Sequence, residues 1–351
     1  MNTITVTIHP DAPDPSVLRE AATILRRGGL VVFPTETVYG LGADGTCAEA
    51  SARIYAAKGR PSDNPLILHI HEPAEASLCA DTNATFDRLA EAFMPGPLTV
   101  VLPARDTVPL ATRGGLPTVA VRCPEHPVAR ELIRCFGKPI AAPSANLSGS
   151  PSPTCAAHVR DDMDGRVDMI LDGGDCEIGL ESTIVKLEED GGVTLLRPGG
   201  ITPDMLSRVV GEVRIGAAVT AALAPGERVL SPGMKYRHYA PRAPLTLLSG
   251  TLAARIDYVR SEQGTVGILC YEEECEALRA ALPHAVLYSL GKETDTCTQA
   301  HRLFYHLREA DKHAFTHLYA PLPEKRGMGL ALYNRMIRAA SYDIVHLPKE
   351  I

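Results

Sequence analysis

The stretch Leu30-Val31-Val32-Phe33-Pro34-Thr35-Glu36-Thr37-Val38-Tyr39-Gly40-Leu41-Gly42 runs from four consecutive apolar residues straight into hydroxyls, a carboxylate, a tyrosine and two glycines. The apolar part reads as a buried strand and the polar part as a loop at its end, where a rigid sheet presents functional side chains. Glycines there let backbone come close to a ligand. A plain turn in which Thr35 and Thr37 satisfy their own backbone is the competing reading. Upstream, Ile4, Val6 and Ile8 alternate with Thr3, Thr5 and Thr7 as in a half-buried strand. Val17, Leu18, Ala21, Ile24 and Leu25 then recur at helical spacing before Gly28-Gly29, a left-handed helix stop.

Downstream to Arg197 the pattern mixes strands near 66–70, 98–102, 118–122, 139–142, 167–171, 182–187 and 193–197 with helices near 47–57, 84–93, 126–136 and 154–162. Strands outnumber helices, which predicts an α/β fold built on a twisted mixed β-sheet with flanking helices, not a regular βαβ alternation. After about residue 245 the rhythm becomes regular. Strands near 245–248, 266–270, 285–288 and 316–319 alternate with helices near 252–260, 273–281, 295–311 and 325–340, as in a smaller parallel α/β, Rossmann-like domain. No GxGxxG follows its first strand, so nothing marks it as dinucleotide-binding. The expected organisation is a first domain over 1–210, a linker over 211–244 and a C-terminal domain over 245–351. The linker carries prolines at 225, 232, 241 and 244 around Lys235-Tyr236-Arg237-His238-Tyr239. It reads either as a stiff spacer or as a strap across a ligand site.

The net charge of -7 argues against nucleic-acid binding through bulk electrostatics. Nine cysteines without a CxxC pair or a histidine at zinc-finger spacing argue against a disulfide framework or a structural zinc site. No run approaches the ~18 apolar residues of a membrane span, and no basic, apolar leader opens the chain. A reduced, cytoplasmic protein is expected.

Two polar clusters stand far apart: Lys58-Gly59-Arg60 before Pro61, and Ser144-Ala145-Asn146 after Pro143. Two cations and two neutral hydrogen-bonding groups at the ends of buried elements suit a polyanion bearing a polar organic group, with a nucleoside triphosphate the obvious candidate. Asn64 and His69 follow the first cluster; a lone histidine among Leu and Ile is more commonly a satisfied core residue. Arg122 ends the strand Thr118-Val119-Ala120-Val121-Arg122, where a guanidinium can hold a carboxylate by two hydrogen bonds, or simply form a rim salt bridge. Glu181-Ser182-Thr183 opens one further strand and Arg197-Pro198-Gly199 closes another. The chain has no GxxxxGK[ST], GxSxG, HExxH or paired-aspartate metal motif, so covalent catalysis is not indicated.

Taken together, Pro34–Leu41, Lys58-Gly59-Arg60-Pro61, Asn64-Pro65-Leu66, Pro143-Ser144-Ala145-Asn146, Glu181-Ser182-Thr183 and Arg197-Pro198-Gly199 resemble, in order and spacing, the YrdC-like family of threonylcarbamoyl-AMP synthases. The resemblance covers roughly residues 10–210, and Ser231–Pro241 looks like the linker of the longer, two-domain branch. It implies a nucleotidyltransferase that makes L-threonylcarbamoyladenylate from L-threonine, bicarbonate and ATP with release of pyrophosphate. The product then goes to a tRNA-modifying threonylcarbamoyl transferase, so direct tRNA binding is not required. Carried over residue by residue, Thr35, His69, Arg122 and Thr183 are expected to hold threonine. Lys58, Arg60, Asn64, Thr118, Ser144, Asn146, Ser152, Arg197 and, from the linker, Tyr236 are expected around ATP, with Lys58 and Arg60 as the catalytic cations. Mg²⁺ is expected on the substrate phosphates, with no metal ligands from the protein. The competing functions are a carbamoyl-phosphate-dependent carbamoyltransferase, whose hydrogenase-maturation examples carry zinc-finger cysteine pairs absent here, and a non-catalytic RNA-binding module.

Overall fold

A computed structural model describes residues 2–221 and 238–348. The chain forms two compact units, Met1–Ser148 with Ser152–Lys235, and Gly149–Pro151 with Tyr236–Ile351. Residues 222–237 of the expected linker, Tyr236 included, lie outside the described residues.

The first unit opens with β1 (Ile4–Thr7), α1 (Pro15–Arg26), β2 (Val31–Phe33), β3 (Gly40–Asp44), α2 (Ala48–Lys58) and β4 (Ile67–His69). It continues with α3 (Ala84–Phe93), β5 (Leu98–Pro103), β6 (Thr118–Arg122), α4 (Pro127–Phe136), β7 (Ile140–Ala141) and α5 (Ala156–Met163). Its last elements are β8 (Met169–Asp172), β9 (Thr183–Leu187), β10 (Val193–Arg197), α6 (Pro203–Val210) and β11 (Val213–Ile215). The strands form one eleven-stranded sheet in the order β1-β8-β2-β3-β7-β4-β6-β5-β9-β10-β11. Pairing is parallel at β1/β8, β4/β6 and β5/β9 and antiparallel at β2/β3, β5/β6 and β9/β10, the mixed sheet expected from the sequence. Residues 213–215, expected in the linker, pair in parallel with β10 and so extend this sheet.

Local chemistry explains the helices. Asp14 caps α1 by accepting from Ser16 N at 2.7 Å, Pro15 fits the first turn, and Gly28 takes φ 75° beyond its end. The buried stripe of Leu18, Ala21 and Leu25 packs with Val128, Leu132 and Ile133 of α4 against Val31, Phe33, Met169 and Leu171 of the sheet. Each large side chain in that cluster contributes about 1.5–3 kcal/mol on burial. Strand β3 is glycine-bearing because it is squeezed: a Cβ on Gly42 would lie 2.7 Å from Phe33 and 2.9 Å from Ile140.

The second unit contains β12 (Leu245–Ser249), α7 (Leu252–Arg260), β13 (Val266–Cys270), α8 (Cys275–Ala281), β14 (Val286–Ser289), α9 (Thr296–Ala310), β15 (His317–Pro321), α10 (Met328–Ala339) and β16 (Ile344–His346). Its sheet is wholly parallel, in the order β14-β13-β15-β12-β16. Because β15 sits between β12 and β13, the layers are Rossmann-like but the strand order is not that of a dinucleotide-binding half. Tyr239, 3% exposed, stacks on Phe304 at 5.1 Å between ring centroids, with the Arg335 guanidinium 5.6 Å from its ring.

Candidate active site

Five adjacent strands line up four polar side chains, with Ile184 among them, along one row, the last reached across a register shift in β10. The register pairs His69 with Arg122, Arg122 with Thr99, Thr99 with Ile184, and Ile184 with Arg197. Residues paired across a sheet share a face, so this row projects to one side. Two residues along, Ile67, Ala120 and Val101 pack with Ile184 and Leu196 as a small apolar floor. Beyond it, at the other end of β6, lies half-buried Thr118, with Asn64 just before β4. Thr118 and Arg122 are separated by four residues of strand, about 13 Å. The strands β4 and β6 thus carry two polar ends with an apolar floor between them.

At the first of these ends, Arg122 is 4% exposed and donates through Nη2 to Glu36 Oε1 at 2.6 Å, both side chains being 5% exposed. Its Nε has no partner among the described residues. Glu36 Oε2 accepts from Glu125 N at 3.2 Å, which ties the loop after β2 to the approach of α4. His69 is buried, its Nδ1 3.2 Å from Ile67 O, and burial followed by the Arg122 charge pushes its pKa down to about 3. The imidazole is therefore neutral at physiological pH.

That neutrality has a measurable consequence. Between pH 6.5 and about 3 the unfolded chain protonates this histidine and the folded one does not. The unfolded state binds more protons there, so the contribution of His69 to stability is complete above 6.5 and declines as pH falls, by up to about 1.4 kcal/mol per pH unit. Thermal melts of His69→Gln should show a flatter acid limb between pH 6 and 4 than the parent; parallel limbs would count against a buried neutral imidazole.

The two clusters that stand 86 positions apart in sequence meet through Lys58. The left-handed Gly59, φ 60°, ends α2 so that Lys58 occupies its last turn. The buried ammonium donates to Asn146 O at 2.6 Å and to the Ser144 carbonyl, with Asn146 Oδ1 at 3.4 Å. Ser144 Oγ donates to Asn146 Oδ1 at 2.5 Å. Arg60 Nη2 reaches Pro65 O at 3.1 Å and Asn64 O at 3.3 Å, while Asn64 Oδ1 is buried without a partner among the described residues.

On β10, Arg197 donates through Nε to Ser182 O at 3.0 Å and through Nη2 to Ser182 Oγ at 3.1 Å. Ser182 Oγ lies 2.8 Å from Thr99 Oγ1, so a hydrogen-bonded chain leads from Arg197 to the strand beside Arg122. Ser152 is fully buried and donates to Glu181 Oε1 at 2.5 Å. Gly199 lets the end of β10 lie close against the backbone of residues 181–183: a Cβ there would sit 2.5 Å from Thr183 N and 2.7 Å from Glu181 O.

Two expected threonine ligands use their hydroxyls locally. Thr35 Oγ1 donates to Val38 O at 2.6 Å and accepts from Thr37 N and Val38 N, both at 3.2 Å, which is the self-satisfied turn weighed from the sequence. Thr183 pairs with Leu98, one register step from the Arg122 row, and so faces the opposite side. Its hydroxyl donates to Ile201 O at 2.7 Å and accepts from Ile201 N at 3.0 Å. Sequence reasoning gave no roles to Glu36, Thr99, Glu181 and Ser182. The signal in the sequence is slight: Thr99 is the single polar residue in Leu98–Leu102, Glu36 stands next to the predicted ligand Thr35, and Glu181 two positions before the predicted ligand Thr183.

Lys58, Arg60, Arg122 and Arg197 are all buried, against Glu36 and Glu181, and His69 is neutral. The excess of two positive charges suits an anionic ligand. Among the described residues no group of three His, Cys, Asp or Glu side chains is placed to hold a metal ion.

The chain is similar to known proteins. A family model for Sua5, YciO and YrdC, described as telomere recombination, matches residues 23–199, and one described as the C-terminal domain of threonylcarbamoyl-AMP synthase matches residues 201–341. A threonylcarbamoyl-AMP synthase of Bacillus subtilis is 42% identical over 348 residues, 97% of this chain and 98% of that protein. Its counterpart from Pyrococcus abyssi is 41% identical over 339 residues, covering 93% and 95%. The crystal structure of P. abyssi Sua5 complexed with L-threonine matches with a TM-score of 0.88 and 40% identity, covering 98% of this chain and 99% of that one. Both domain models occur here in order, and relatives of one name match along nearly their full length: the chain belongs to the two-domain threonylcarbamoyl-AMP synthase family.

Proposed function

We propose that this chain catalyses formation of L-threonylcarbamoyladenylate and pyrophosphate from L-threonine, bicarbonate and ATP, in the cytoplasm, as the first step of tRNA threonylcarbamoyladenosine formation. The observation that carries this reading is the sheet face with two polar ends and a surplus of buried cations. One end suits an amino acid and the other a nucleotide. Arg122 takes the threonine carboxylate, with neutral His69 beside it. Thr35 shapes the same end through the turn its hydroxyl holds, and Thr183 through the tie between its hydroxyl and Ile201 behind the sheet. Lys58, Arg60, Asn64, Thr118, Ser144, Asn146, Ser152 and Arg197 surround ATP, Arg197 from the row of Arg122, three strands away from it on β10. Mg²⁺ enters with the substrate, on its phosphates.

The threonine amine attacks bicarbonate or carbon dioxide, forming a C–N bond and an N-carboxy group; from bicarbonate the C–OH bond breaks and the hydroxyl leaves as water with the amine proton, and from carbon dioxide the amine proton is released to solvent. A carbamate oxygen then attacks the α-phosphorus and pyrophosphate leaves. The carbamate decomposes readily in water, so a dry, positioned site matters more than a strong base. Lys58 and Arg60 stabilise charge that grows on the phosphate oxygens. The product leaves for a separate tRNA-modifying transferase.

Pyrophosphate release from ATP tests this reading when threonine and bicarbonate are supplied together and each is omitted in turn. Release is expected only with both. Release that persists without either one overturns the proposed reaction.

A further inference from the structure

We propose that Glu36 is a specificity-determining residue: paired with Arg122, it makes the amino-acid end of the site select a zwitterion over a simple carboxylate. The inference rests on the reading above, in which Arg122 holds the substrate carboxylate.

Glu36 is the nearest counter-charge to Arg122, at 2.6 Å, and both side chains are 95% shielded from water. It is pinned on two sides. Its Oε2 accepts from Glu125 N, and its backbone oxygen accepts from Ile178 N at 2.8 Å. Only one edge of the Arg122 guanidinium is engaged by Glu36, while Nε remains without a partner among the described residues. A guanidinium tied at one edge keeps a fixed plane and offers its remaining N–H groups to a second carboxylate.

The charge balance then sets what can bind. Arg122 with Glu36 sums to zero, so a purely anionic ligand gains from the guanidinium and loses to the carboxylate beside it. A zwitterionic α-amino acid presents its own two charges to that pair and gains from both. In a water-excluded site neither effect is screened away. Neutralising Glu36 removes the attraction for an ammonium and the repulsion of an anion, so the two classes of ligand move in opposite directions relative to one another. A residue that merely held the loop together would weaken both alike.

The probes are L-threonine and 3-hydroxybutanoate, which is threonine without its amino group, with affinities measured by competition against labelled threonine on the full chain. Glu36→Gln is expected to shrink the preference for threonine about tenfold, the scale of one charge-assisted hydrogen bond. Glu36→Asp keeps the charge and shortens the reach; it should hold the preference within about threefold while weakening threonine binding, which keeps the proposal testable if the Gln variant folds poorly. Equal weakening of both ligands in Glu36→Gln, or loss of the preference in Glu36→Asp, overturns the proposal. Arg122→Met separates this from the underlying reading: it should abolish binding of both ligands. If it leaves both bound, Arg122 does not hold the carboxylate; if it abolishes both while Glu36→Gln keeps the full preference, only the role of Glu36 falls.

Discussion

Replacing Lys58 with alanine is expected to lower the maximal rate of pyrophosphate release by at least about a hundredfold, the scale seen when one preorganised donor to a developing charge is removed. Two effects combine. The ammonium is a buried positive charge beside the Ser144–Asn146 turn, where the reading above places the phosphates. It is also the link between α2 and that turn, and its loss leaves the Asn146 and Ser144 carbonyls without their donor. Threonine affinity should stay within about twofold of normal, because the Arg122–Glu36 pair does not depend on Lys58. Equilibrium binding of threonine beside steady-state turnover checks both statements. Turnover within threefold of normal would remove Lys58 from the catalytic role.

Arg122→Met should raise the threonine concentration needed for half-maximal rate at least a hundredfold and also destabilise the first unit. The second effect follows from Glu36, which is left as a buried carboxylate without its cation. Breaking such a pair from one side typically costs about 3–5 kcal/mol, or roughly 6–20 °C of melting temperature for a unit of this size. The double variant Glu36→Gln with Arg122→Met removes both charges. It is expected to recover most of the melting temperature and none of the threonine binding. A double variant as unstable as Arg122→Met alone would mean that the loss comes from packing and not from the stranded charge.

The fold was legible where side chains alternate or recur without interruption. Thr118–Arg122 and Ala84–Phe93 lie where their patterns put them, because apolar spacing and the Asn83 cap agree with the tertiary packing. Strand β3 was hidden. Gly40-Leu41-Gly42-Ala43-Asp44 contains no β-branched residue, and it is a strand because only glycines fit between Phe33 and Ile140. Strand β11 is hidden for a different reason: Val213-Arg214-Ile215 is too short for its alternation to stand out, and only its parallel pairing with β10 makes it a strand. The motifs brought the right residues into view, yet periodicity cannot say which hydroxyls are free. How the hydroxyls of Thr35 and Thr183 and the carboxylate of Glu36 are used depends on the turn to Val38, on register, and on contacts to Ile201 and Arg122, 18 and 86 positions away.

The position of β8 between β1 and β2 imposes an order on biosynthesis. Ile4–Thr7 pair with residues 169–172 and Val31–Val32 with 169–170, so each can complete its ladder on that side only after 165 (172 − 7) and 138 (170 − 32) further residues have been made. At ordinary elongation rates that is a delay of roughly ten to thirty seconds, during which an apolar strand edge stays open. Such long-range closure also makes folding slow relative to a helical protein of equal size. Truncation before Met169 removes the pairing partner of Ile4–Thr7 and Val31–Val32 and is expected to raise the tendency to aggregate, which light scattering on the truncated chain would report.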